Sequence, residues 1–364
     1  MDFIPISKPS ITRKELDYVN NAMKSGWVSS LGSYIDLFEK NFAKYCNVKY
    51  AVTTSNGTTA LHLILAAYGI GKGDEVIIPD LTFIATANAV KYVDASIITV
   101  DVDKNTFSID IDCIERAITS KTKAIIPVHL YGHPAPMNEI NDLAKQYGLI
   151  VIEDAAEAHG AEVDSKRVGG LGDAGVFSFY GNKIITSGEG GMVTTNDKFI
   201  YNRLKLLRDH AMRKDKRYWH DEIGFNYRMT NLQAALGSAQ LERIGEILRK
   251  KKKIFDWYKN FLVDVQNIKL NAQKEGYKNS YWMVCVVVDG YTESQRDGLI
   301  LKLKTENIDS RPFFYPVSMM PMYKSENTEN SHLLAASGLN LPSFYDITKK
   351  EVFYICQKLK KILT

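Results

Sequence analysis

Short apolar runs alternate with amphipathic stretches along the first two hundred residues. Runs at 50–54, 75–79, 97–100, 123–128, 149–153, 176–180 and 192–195 are rich in Val, Ile and Thr and read as buried strands. Between them, helical patterns cover 34–45, 60–68, 110–117, 137–147 and 198–212. A helix at 11–25 precedes them: Thr12 and Glu15 form a capping box, Leu16, Val19 and Met23 an apolar stripe, and Gly26 a stop. Strands alternating with helices predict a parallel sheet with helices on both faces, an α/β fold. A long helix follows from Asn231 to about 262, and 263–278 is polar and irregular. A strand at 281–288, a helix at 293–306, an extended segment at 310–315 and a last helix at 348–363 then make a smaller α+β unit. The division is expected near 245–265, giving a large domain over 1–250 and a small one over 251–364.

Composition narrows the picture. A length of 364 residues suits one large domain with a smaller companion, and 45% apolar with 24% charged residues is ordinary for a globular chain. The net charge is only +4, and the single basic run, 249–253, sits in a polar helical stretch, which argues against nucleic acid as a partner. Cys46, Cys113, Cys285 and Cys356 lack metal-ligand spacing, which points to reduced thiols, no metal site and a cytoplasmic setting. No signal-peptide pattern opens the chain, and no apolar run approaches the ~18 residues of a membrane span.

The candidate chemistry gathers around GDAGVFSFYGNKIITSGEGGMVTTN, which ends at Asn196. A strand runs into a turn carrying Lys183, flanked by Ser178, Thr186, Ser187 and the glycines 188, 190 and 191, before the next strand. Such a lysine is either a surface hairpin residue or a nucleophile for Schiff-base chemistry. Upstream, Asp154 stands at the carboxyl end of a strand, where α/β folds place ligands. It reads either as a helix N-cap or, with Lys183, as the aspartate that pairs with the pyridinium nitrogen of pyridoxal 5'-phosphate (PLP). Ser55-Asn56-Gly57-Thr58 opens a helix, as a plain cap or as a phosphate site on free N–H groups. Phe83 follows a strand and is either core or a ring for a cofactor to lie on. His129 and His133 lack metal spacing and fit a structural or a pocket role.

With these residues in place, the chain resembles the DegT/DnrJ/EryC1/StrS family of PLP-dependent nucleotide-sugar aminotransferases. The motifs SNGTTAL, EDAAEAHG, GDAGVFSFYGNKIITSGEGGM, NYRMTNLQAA and RPFFYP occur in this order over nearly the whole chain. The resemblance implies fold type I of PLP enzymes, aspartate aminotransferase-like, in a homodimer with shared active sites. It implies Lys183 as covalent anchor and proton shuttle, and Asp154 at the pyridine nitrogen. Glu157 would lie near the cofactor hydroxyl and Phe83 on the ring face. Ser178 and the backbone at Gly57 and Thr58 would hold the phosphate, with Asn226 reaching it from the partner subunit. The implied reaction moves an amino group from L-glutamate to C4 of a nucleotide-linked 4-keto-6-deoxy sugar, GDP-4-keto-6-deoxymannose foremost, for a bacterial surface polysaccharide. A dTDP- or UDP-linked 3- or 4-keto sugar, or a non-catalytic regulatory protein on the same fold, are the alternatives. Arg217, Trp219, Arg228, Arg311 and Tyr315 are candidates for the nucleotide, because Arg suits bidentate phosphate contacts and aromatics stack on bases. Each also fits a structural role.

Overall fold

The computed structural model describes residues 2–272, 274–323 and 328–363. Two helices, α1 (Arg13–Lys24) and α2 (Ser33–Cys46), lead into β1 (Tyr50–Thr54), α3 (Gly57–Ala67), β2 (Glu75–Pro79), α4 (Ala85–Tyr92) and β3 (Ser96–Val100). Next come α5 (Ile111–Ala117), β4 (Thr122–Ile125), α6 (Met137–Tyr147) and β5 (Ile150–Asp154). A hairpin of β6 (Glu162–Val163) and β7 (Lys166–Arg167) precedes β8 (Ala174–Ser178) and β9 (Gly191–Thr195). After α7 (Lys198–Leu207) and the long α8 (Asn231–Phe261) come β10 (Ile268–Leu270), β11 (Tyr277–Lys278), β12 (Val284–Val288) and α9 (Glu293–Thr305). The described chain closes with β13 (Arg311–Pro312), α10 (Glu329–Ser337), β14 (Gly338–Leu341) and α11 (Lys349–Leu363).

Seven strands form the main sheet in the order β1-β9-β8-β5-β4-β2-β3. The pairs from β8 to β3 are parallel, and β9 runs antiparallel to both neighbours, so the expected α/β sheet is present with one reversed strand. Successive side chains leave opposite faces of a strand. Val76, Ile78, Ile152 and Val176 therefore enter one core with α3, α4 and α7, while Ile77, Val151 and Phe177 enter cores on the other face. A separate core joins β12, β14, α9, α11 and the end of α8, and Ile4 packs into it from the N-terminal segment. Among the described residues no helix is long and apolar enough to cross a membrane.

Several boundaries differ from expectation, each for a physical reason. The helix expected over 198–212 stops at Leu207, because the backbone of Leu207, Arg208 and His210 bonds to Phe225 and Tyr227 instead of continuing the coil. The stripe expected to bury α1 points outward: Leu16 and Met23 are exposed, and the buried residues are Ala22 and Glu15, the latter bonded to Arg243 and Gln240 of α8. The polar 263–278 region carries β10 and β11, and α4, α10 and β14 have no counterpart in the periodicity reading. No helix follows Asp154, which removes its N-cap reading.

Glu153 shows how tightly β5 is tied to its surroundings. It is fully buried and accepts from the backbone N–H of Gly169 (2.7 Å), Leu171 (2.7 Å) and Gly172 (2.8 Å). His129 gives it a fourth contact at 3.1 Å, and since His129 Nδ1 accepts from Ala135 N–H, Nε2 is the donor. His129 is thus structural. Removing an acceptor strands buried donors. Glu153→Ala is expected to lower the unfolding free energy by about 3 kcal/mol, measured by urea denaturation.

Candidate active site

Three strand ends and one helix start meet in a cavity of about 360 Å³. β5 delivers Asp154 and, two residues beyond Ala155, Glu157. β8 delivers Ser178 and then the turn bearing Lys183. The loop after β2 delivers Phe83, and α3 presents Gly57 and Thr58 at its N-terminus. Asn56 caps α3 by accepting from Thr59 N–H at 2.9 Å, so the helix start is capped while Gly57 and Thr58 line the cavity. Close approach explains two glycines. A Cβ on Gly57 would lie 2.9 Å from Ser178 Cβ, and one on Gly191 would lie 2.3 Å from the Asn56 carbonyl oxygen.

The charges in the cavity are few and enclosed. Asp154 Oδ2 accepts from Thr86 Oγ1 at 2.7 Å and Oδ1 from Ala156 N–H at 3.2 Å. Burial raises its pKa in spite of those bonds. Glu157 Oε2 accepts from Tyr131 N–H at 2.9 Å, and Oε1 lies 3.5 Å from Lys183 Nζ. Burial pushes Glu157 up to about 7, against the pull of the Lys183 charge. His159, buried between Phe177 and Phe179, is driven down to about 3 by burial and is neutral at pH 7. Phe83 is 53% exposed, a ring face open to the cavity rather than core.

Gly57, Thr58, Phe83, Asp154, Glu157, Ser178 and Lys183 are therefore brought together as expected. The nucleotide candidates and Asn226 are not among the residues lining this cavity. Arg228 pairs with Asp209 at 2.9 Å and reaches Asn226 Oδ1 at 3.3 Å, in a second, cationic cleft that Arg217 also lines. Trp219 Nε1 donates to Asp221, Arg311 pairs with Asp309, and the Tyr315 hydroxyl accepts from Arg296. Sequence reasoning missed Thr86, Tyr180, Asn182, Glu189, Trp282 and Phe314, which also line the cavity. Trp282 and Phe314 arrive from beyond residue 280, and no local pattern links them to the lysine turn.

The model of the DegT/DnrJ/EryC1/StrS aminotransferase family matches residues 9–360. The chain belongs to that family. It is 46% identical to the GDP-perosamine synthase of Escherichia coli O157:H7 over 99% of both chains. It is 45% identical to that of Caulobacter vibrioides over 99% of this chain and 98% of the relative. An aminotransferase from Psychrobacter cryohalolentis superposes with TM-score 0.93 at 30% identity, covering 99% of this chain and 98% of that one. Spr1654 from Streptococcus pneumoniae, solved in a PLP form, gives TM-score 0.94 at 27% identity over the full length of both. The architecture is thus the fold type I of PLP-dependent transferases that the resemblance implied.

A carboxyl group with a raised folded-state pKa binds its proton more tightly folded than unfolded, so stability falls as pH rises between the two values. For Glu157 that window runs from 4.5 to about 7. The cofactor-free protein is expected to lose up to about 3 kcal/mol across it from this group. Urea titrations at pH 5 and pH 8 should show Glu157→Gln narrowing the gap between the two conditions.

Proposed function

We propose that this aminotransferase takes an amino group from L-glutamate and delivers it to C4 of GDP-4-keto-6-deoxymannose, forming GDP-perosamine for a bacterial surface polysaccharide. The observation that carries the reading is one cavity holding an under-bonded buried carboxylate, Asp154, and a lysine amine, Lys183, above the open N-terminus of α3. The GDP-sugar part rests on relatives named GDP-perosamine synthase that are 42–46% identical over almost the entire chain.

The residues fit PLP. Asp154 has two donors for a fully buried carboxylate, leaving acceptor capacity for a ring N–H. The N–H groups of Gly57 and Thr58, with the Ser178 hydroxyl, suit a phosphate. When bound, PLP is the electron sink that carries the amino group from donor to acceptor. Asp154 would hold the proton on the ring nitrogen, and Phe83 would offer its ring to the cofactor. Lys183 Nζ would anchor the cofactor and, once released, move the donor's Cα proton as base and then acid. Glu157 lies 3.5 Å from that amine and would lie near the cofactor hydroxyl. Trp282 and Phe314 help wall the site against water.

The protein works as a homodimer in the cytoplasm in this reading, with Asn226 and the cationic cleft near Arg228 facing the partner's site. Two observations support the pairing. Asn226 and the nucleotide candidates lie outside their own chain's cavity. Leu16, Met23, Trp27 and Leu31 leave an apolar surface 52–63% exposed.

Incubation with PLP, glutamate and GDP-4-keto-6-deoxymannose is expected to yield a 4-amino sugar by mass spectrometry, with at least a hundredfold lower rate on a dTDP-linked ketosugar (~2.7 kcal/mol of discrimination). Equal rates would reject the GDP assignment. Met23→Asp with Leu31→Asp is expected to shift the sedimenting species from dimer to monomer and to weaken PLP retention; a wild-type monomer would contradict the pairing.

A further inference from the structure

Tyr131 touches both of the rings that reach the cavity from beyond residue 280, yet it is not itself among the lining residues. Its ring stacks at 28° on Phe314 and at 18° on Trp282, with centroids 5.3 Å and 6.2 Å apart. It is 1% exposed and sits in the turn Leu130–Gly132. Two bonds hold it there. Its N–H donates to Glu157 Oε2 at 2.9 Å, and its hydroxyl oxygen accepts from the N–H of Phe314 at 2.9 Å. The turn is also seated on the C-terminal part of the chain. Ser280 N–H donates to the Gly132 carbonyl at 3.0 Å, and a Cβ on Gly132 would lie 2.9 Å from the backbone nitrogens of Tyr281 and Trp282. Tyr131 has φ +53°, a left-handed conformation that costs a bulky residue free energy. Such a conformation persists where its surroundings over-determine it. Here they do, with the N–H on a cavity carboxylate and the hydroxyl on the cavity wall.

We infer that Tyr131 is a positioning residue for the amino acceptor. Its hydroxyl fixes the backbone of Phe314, so that the Phe314 ring, paired with Phe83 at 5.4 Å, presents an aromatic face to the sugar. Tyr131 does not touch the substrate and acts through Phe314. A sugar ring carries C–H groups that pack on an aromatic face, whereas glutamate brings carboxylates that gain little from one. The bond therefore bears on the second half of the reaction more than on the first. The inference rests on the reading of the acceptor as a nucleotide-linked ketosugar.

Tyr131→Phe removes the acceptor of the Phe314 N–H and keeps both the ring and the N–H bond to Glu157. Because the reaction runs in two halves, kcat/KM for each substrate reports its own half. In the PLP-loaded enzyme, kcat/KM for GDP-4-keto-6-deoxymannose is expected to fall about fivefold in Tyr131→Phe, through KM, with kcat/KM for glutamate within about twofold of wild type. Phe314→Ala keeps the bond, removes the ring and is expected to give the same split. Tyr258→Phe removes an equally buried hydroxyl, bonded to the Pro342 carbonyl in the C-terminal core, and should leave both values unchanged. Equal losses for the two substrates in Tyr131→Phe, which a purely structural role would give, or no loss for the sugar, overturn the inference. Hydrogen exchange of the cofactor-free protein gives a readout that needs no substrate. The amides at 313–315 are expected to exchange at least about fivefold faster in Tyr131→Phe, and unchanged exchange there also overturns the inference. The wild type decides the reading beneath it. Turnover of another ketosugar alone rejects the GDP assignment and carries the same comparison to that sugar, and turnover of none rejects the acceptor class and the role of Tyr131 with it.

Discussion

Everything at the site depends on β5 and β8 being parallel neighbours in one register. Asp154, the last residue of β5, lies opposite Val176, two residues before β8 ends at Ser178, and the segments that follow both strands line the same cavity. That register is held from both faces, because Val176 and Phe177 are buried in opposite cores. A one-residue slip would exchange the faces of every side chain on the strand. It would also turn Asp154 from the cavity into the place of Glu153, whose bonds from Gly169, Leu171 and Gly172 clamp the loop at 169–172 and tie it to His129.

The contrast between those adjacent carboxylates indicates where a ligand belongs. Both are buried, but Glu153 is fully occupied by the protein, while among the described residues Asp154 accepts only from Thr86 and Ala156. A buried carboxylate is costly unless its oxygens are bonded, so the protein carries at Asp154 a deficit that a protonated ring nitrogen would fill. Lys183 is balanced differently, by a carboxylate on one side and an aromatic face on the other. The amine is held without a short, strong ion pair, which leaves it free to exchange partners. Trp282 and Phe314, from beyond residue 280, wall the cavity, so the C-terminal part of the chain completes a site whose reactive groups all lie before residue 190.

The parts legible in the sequence are those whose chemistry is local. The strands at 50–54 and 75–79 are short apolar runs, as is the one expected at 176–180 and found at 174–178, and Asp154, Lys183 and Gly57-Thr58 sit at or just beyond strand or helix ends that meet at one cavity. What was not legible depends on contacts remote in sequence. The apolar stripe of α1 looked like a core face, yet Glu15 takes the inner side because Arg243 and Gln240 of α8 satisfy it. The helix after β9 ended early because residues 225–227 capture its backbone. Trp282 carries no motif and follows Tyr281 at φ +51°, a conformation the sequence does not announce. Arg228, Arg311, Tyr315 and Trp219 were chosen by residue type, and the structure ties each of them to a neighbour outside the cavity.

If Asp154 and Lys183 together hold PLP for amino transfer, the visible absorption spectrum of the purified protein will report it. Adding PLP is expected to produce a band beyond the absorption of free PLP that glutamate abolishes, with neither event in Lys183→Ala. A folded wild-type protein that develops no such band, or a Lys183→Ala protein that develops and loses it like wild type, would contradict the account.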